Sequence, residues 1–66
     1  MISYEKLWAT MKAKGVTQYR LIKTHKFSSG QLDRLRRNEN VNIFTLAALC
    51  DILDCGLEDV VTYTKD

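Results

Sequence analysis

Four times along the chain an apolar residue is followed by Ser, Thr or Asn, then by three residues, then by Leu: ISYEKL at 2 to 7, VTQYRL at 16 to 21, FSSGQL at 27 to 32 and VNIFTL at 41 to 46. Each occurrence predicts a helix start. The hydroxyl or carboxamide in second place accepts from an otherwise orphaned backbone N–H, and the flanking apolar pair closes as a hydrophobic staple between N′ and N4. The first helix is expected from about Tyr4 to Lys14, with Tyr4, Leu7, Trp8 and Met11 on one face and Gly15 ending it in the left-handed conformation. The second is expected from Gln18 to Thr24, with Leu21 and Ile22 inward. Entry to the third is at Ser28, where Ser-x-x-Gln predicts a capping box through Gln31. Only Thr45, Asp51 and Asp54 are polar in the fourth, Ile43 to about Asp54, so it is expected to be covered on most sides and to be broken by Gly56. Leu57 to Val61 reads as a short fifth helix with Glu58 and Asp59 suited to its first turn, while the strand-forming VVTYT leaves open an edge strand or a tail. The fold class is all-α, a compact bundle of four to five short helices.

Length and composition bound this picture. The 66 residues are expected to form one domain, near the lower size at which a chain buries enough apolar surface to fold without a staple. Mixed charges at 27% of residues argue against disorder and against a membrane protein. The amino terminus, MISYEKLWATMKAKG, has Glu5, Lys12 and Lys14 where a signal peptide needs an unbroken apolar stretch, and no apolar run approaches the roughly 18 residues of a membrane span. A soluble, cytoplasmic protein is expected.

Charge is divided unevenly. Residues 1 to 40 carry nine Lys/Arg against three Asp/Glu, net +6, and residues 41 to 66 carry one against five, net −4. The basic half suits a polyanion, or is a solubilising surface. Cys50 and Cys55 match no common zinc spacing, and five residues apart on one helix they would point about 140° apart, so free, partly buried thiols are expected. His25 has no histidine or cysteine partner for a metal, and no cofactor is expected.

The third helix is unusual. At ~100° per residue, Leu32 and Leu35 share one side while Ser29, Gly30, Asp33, Arg34 and Arg37 occupy the outward arc, with Arg36 on its flank. Arg34 and Arg37 are spaced to reach one target, either adjacent phosphates or a guanine edge, and small residues at Ser29 and Gly30 would let the backbone approach a groove. The alternative is a solvated face in which Asp33 pairs with Arg36 or Arg37. Between Leu21 and Phe27 there is room for only a tight turn, so the second and third helices form a helix–turn–helix, the motif whose second helix enters the DNA major groove. Gln18 then lies where it can donate to a backbone phosphate.

The segment GVTQYRLIKTHKFSSGQLDRLRRNENVNIFTLAALCDILDCGLEDVV resembles the Cro/phage-repressor (Xre-type) helix–turn–helix family over about 45 of the 66 residues. It is similar in particular to short single-domain bacterial members with L-x-R-L-R-x-N followed by T-L-x-x-L-C-x-I-L. The resemblance implies a lambda-repressor-like DNA-binding domain over residues 1–66. It also implies a phosphate contact at Gln18, base reading at Ser28, Ser29, Gly30 and Arg34, and backbone-gripping positions at Asn38, Asn40 and Asn42, with Arg37 added from the helix face. Core positions correspond to Leu21, Phe27, Leu32 and Leu35. The chain departs from the pattern at Ile22, where relatives have a small residue, and at Lys26, where they have glycine. Lys26 in the left-handed region would cost roughly 1 kcal/mol. Gly30 replaces a larger polar reader, which shifts weight to Arg34 and DNA shape.

Taken together these features predict a sequence-specific regulator of transcription that binds double-stranded DNA, with residues about 28 to 38 in the major groove. A homodimer through the carboxyl-terminal half is expected, by way of exposed parts of the fourth helix and Val60, Val61 and Tyr63, because one recognition helix reads only a few base pairs. The alternative on the same fold is a protein-interaction module, antitoxin-like or anti-repressor. No nucleophile and base stand at a catalytic spacing, so an enzyme is not expected, and the chain lacks the aromatic β platform that stacks single strands.

Overall fold

The computed structural model describes residues 1–65, in the order β1 (Ile2–Ser3), α1 (Glu5–Lys14), α2 (Gln18–Lys23), α3 (Ser29–Arg36), α4 (Ile43–Leu53), a 3-10 turn (Leu57–Asp59) and β2 (Thr62–Tyr63). Asp66, counted above among the acidic residues, lies outside them. Three helix starts follow the capping pattern. Thr17 Oγ1 accepts from the Arg20 amide at 3.1 Å, Ser28 Oγ from the Gly30 and Gln31 amides at 3.2 and 3.4 Å, and Asn42 Oδ1 from the Phe44 amide at 2.7 Å. Gly15 closes α1 at φ 70°.

The leucines that end the four patterns, Leu7, Leu21, Leu32 and Leu46, are all buried, together with Tyr4, Met11, Leu35, Leu49, Leu53 and Val60. Val16, Phe27 and Val41, the apolar residues that open three of the patterns, pack half-buried against this core, as do Trp8 and Ile22. Each buried leucine is worth about 1.5–3 kcal/mol of transfer free energy, so the shared core is the main source of stability.

The first pattern departs from the others. Tyr4, not Ser3, is the boundary residue of α1, although Ser3 Oγ still accepts from the Glu5 amide at 3.2 Å. Ile2 is no staple, because it lies opposite Tyr63 in an antiparallel two-strand ribbon in which Ser3 faces Thr62. Of the alternatives for VVTYT, then, the strand is the one formed, at Thr62–Tyr63, and the expected fifth helix shortens to the single 3-10 turn. The helical class stands, since the strands are two residues each.

Four further expectations are corrected. The capping box is half-formed: Ser28 caps α3, but Gln31 Oε1 is buried without a hydrogen-bond partner and the reciprocal bond is absent. Gly56 does not break α4, because Asp54 at φ 50° ends it and Gly56 is extended. The fourth helix is not covered on most sides: Ile43 is 59% and Phe44 78% exposed, and among the described residues the core packs against the face carrying Leu46, Leu49 and Leu53. Val60 is fully buried and therefore unavailable to a partner, whereas Tyr63 is 69% exposed.

Cys50 and Cys55 are free and half-buried as expected, though for a different reason, because α4 stops before Cys55. The Cys55 amide donates to Cys50 O at 3.1 Å. Burial, then the neighbouring Cys50 and Asp59, push the Cys55 thiol above its ordinary pKa. Among the described residues no helix is long and apolar enough to cross a membrane.

One polar tie joins the loop after α3 to the start of α1. Asn38, at φ 56°, accepts the Tyr4 amide on Oδ1 at 3.0 Å, and the Tyr4 hydroxyl donates to Glu39 O at 3.0 Å. Asparagine tolerates the left-handed region better than residues with an apolar β-carbon, and its oxygen satisfies an amide left outside the helix ladder. Asn38→Ala is expected to cost about 2 kcal/mol, the sum of backbone strain and an unpaired amide, while Asn38→Gly, which relieves the strain, should cost about half that. Thermal melts of the two variants distinguish the contributions.

Candidate nucleic-acid interface

Between α2 and α3 the chain turns through residues 24–28, with Lys26 at φ 57° and the Phe27 amide donating to Leu21 O at 2.9 Å. Lys26 thus adopts the left-handed conformation whose cost the sequence raised, in place of the glycine of the family pattern. Fully buried Leu32 and Leu35 seat α3 on the core, and half-buried Phe27 steadies its entry. On the other side Ser28, Ser29, Gly30, Arg34 and Arg37 are exposed. A β-carbon built on Gly30 would meet only Ser28 Oγ, at 3.5 Å. The amino end of α3 is therefore unobstructed and presents hydroxyls and bare backbone.

The arginines fall into two groups. Asp33 receives Arg36 Nη1 at 3.3 Å on one carboxylate oxygen and Arg37 Nη2 at 3.4 Å on the other. Pairing of Asp33 with both, not with one, is what the helical spacing permitted. These side chains are roughly half exposed, so each pair is worth at most about 1 kcal/mol and serves more to orient than to stabilise. Arg34 has no ion pair among the described residues, which leaves its fork available.

Arg36 does more than pair with Asp33. Its Nε and Nη2 both donate to Gln18 Oε1, at 2.9 and 2.7 Å, linking the carboxyl end of α3 to the first residue of α2. The sequence places Arg36 on the flank of α3 and gives no sign of this link; the partners are 18 positions apart, and no local pattern marks such a pair. Asn38 and Asn42 have their side-chain oxygens bonded to backbone amides, as described above. Gln18, Asn38 and Asn42 thus each turn the acceptor inward and keep a donor NH₂ group with no partner among the described residues. Asn40 is exposed in the same loop. His25 is exposed in the turn, and among the described residues no cluster of three or more His, Cys, Asp and Glu could hold a metal.

A helix–turn–helix whose second helix is polar on its outer face, flanked by outward amide donors, has the form of a DNA-reading surface. Against protein-family models the chain matches the Cro/C1-type HTH DNA-binding domain over residues 6–66. The chain belongs to this family. The match takes in α1 and β2 as well as the segment that carries the sequence resemblance. Among solved structures the chain is similar to the crystal structure of the transcriptional regulator VanUg, with 28% identity over 98% of this chain and 87% of that one and a TM-score of 0.86. No curated protein matches it.

In this Cro/C1-type domain two positions at the entry to α3, Lys26 at φ 57° and the uncrowded Gly30, do not maximise stability. Lys26→Gly should raise stability by about 0.5–1 kcal/mol by removing left-handed strain, and Gly30→Ala by about 0.5 kcal/mol through helix propensity, with no clash to offset it. On a domain of this size the melting temperature should rise by about 4–8 °C per kcal/mol, readable by circular dichroism.

Proposed function

We propose that this Cro/C1-type domain is a transcriptional regulator that binds double-stranded DNA sequence-specifically, as a single cytoplasmic domain, with residues 28 to 38 in the major groove. The observation that carries the reading is the unpaired guanidinium of Arg34 on the open, small-residue face of α3. Arg34 suits a bidentate contact to guanine, with Ser28, Ser29 and the Gly30 backbone at the same base edges. Gln18, Arg37, Asn38, Asn40 and Asn42 border that face and supply donors for phosphates on either side. The resemblance to VanUg, described as a transcriptional regulator, supports the same assignment.

A homodimer follows from the small footprint of one α3. Two copies on half-sites about one helical turn apart double the contacted bases. Within the carboxyl-terminal half, Tyr63 and the exposed side of α4 are the surfaces free to meet a second copy. Exposed Ile43 and Phe44 favour the competing reading, an interaction module that captures another protein through apolar contact.

Selection of bound sites from random duplexes, followed by titration from 50 to 200 mM salt, tests the proposal. A regulator should lose affinity steeply with salt; Arg37→Ala should lower the slope of log K against log salt by about 1, and Arg34→Ala should relax preference at one base pair by about 1–3 kcal/mol. Salt-insensitive or undetectable binding would favour the interaction module.

A further inference from the structure

We propose that Arg36 is a positioning residue for Gln18: it holds the side-chain oxygen of Gln18 and thereby turns the amide NH₂ outward as a donor to a DNA phosphate. The inference deepens the DNA-binding reading and rests on it. It begins with the two bonds from Arg36 Nε and Nη2 to Gln18 Oε1, at 2.9 and 2.7 Å. A guanidinium only donates, so the atom of the amide that faces it must be the oxygen, and the nitrogen is left on the other prong. The short, charge-assisted, forked geometry opposes the flipped amide, in which two N–H groups would confront three more.

Arg36 is itself held. Its third nitrogen, Nη1, donates to Asp33 Oδ1 at 3.3 Å, one helical turn back on α3, and Asp33 Oδ2 meets Arg37 Nη2 at 3.4 Å. A chain of contacts therefore runs from α3 to the opening residue of α2, across the inner angle of the helix–turn–helix. Its effect is one of polarity. An unrestrained glutamine offers phosphate either its oxygen, which repels an anion, or its NH₂, which binds one. Fixing the oxygen inward removes the wrong presentation before DNA arrives, so less ordering is required on binding.

Arg36 could alternatively act as an ordinary phosphate-binding cation, and the two roles give different thermodynamic cycles. Arg36→Lys keeps the charge but has a single ammonium in place of the fork. Acting through Gln18, Arg36→Lys should weaken binding to a selected duplex about fivefold in the wild-type background and less than about twofold in Gln18→Ala, with the salt slope unchanged. In the free protein it should also shift the Gln18 side-chain NH₂ resonances, a readout independent of DNA. Arg36→Met, which keeps the stem, repeats the cycle should the lysine variant melt early; the loss should again shrink on Gln18→Ala.

Equal losses in both backgrounds, or Gln18 NH₂ resonances that ignore Arg36→Lys, would overturn the positioning role while leaving DNA binding intact. Failure of the wild-type protein to bind any selected duplex at low salt would instead overturn the DNA-binding reading, and the positioning role with it.

Discussion

The meeting of Leu7, Leu21, Leu32 and Leu46 in one core is the contact on which the rest of the molecule depends. Each of these leucines sits in the first turns of its helix, and Leu21, Leu32 and Leu46 each follow a side-chain cap by four positions. Cap and leucine act jointly: the cap fixes where the helix begins, and the beginning fixes which way the leucine points. Among the described residues these elements share one core, so the start of each helix has to be specified locally and strongly.

Frugality in the core explains the character of α3. Two fully buried leucines, with Phe27 at its entry, are enough to seat it, and the remaining positions are released for polar chemistry. Among the described residues no polar or charged side chain is fully buried. Polar groups instead work at the rim, where Asn38, Asn42 and Gln18 satisfy a donor of the protein with their oxygen and keep a nitrogen for solvent or a ligand. The same side chain can therefore hold the fold and face a partner without conflict between the two tasks.

The charged residues show the same division. Asp33 reads, on sequence alone, as a partner for either Arg36 or Arg37. In the folded protein its two oxygens hold Arg36 and Arg37 in place, and Arg34 has no ion pair among the described residues. Charge pairing therefore accounts for Arg36 and Arg37 but not for Arg34. The apolar side chains of Ile43 and Phe44 show the reverse case: a helix whose composition argues for full burial is half bare, because composition reports what a side chain prefers and not whether enough protein exists to cover it.

The sequence by itself determined the features that depend on neighbours within about one helical turn. The three side-chain caps, the left-handed Gly15, the turn between α2 and α3, the leucine seam of α3 and the Asp33 pairs were legible for that reason. Tertiary structure alone decided what depends on residues far apart in the chain. Ile2 meets Tyr63, Tyr4 meets Asn38 and Gln18 meets Arg36 across separations of 61, 34 and 18 residues, the first counted as 63 − 2. Val60 turning into the shared core belongs with them. No local spacing encodes these outcomes, because each is set by where the shared core leaves two distant backbones relative to one another.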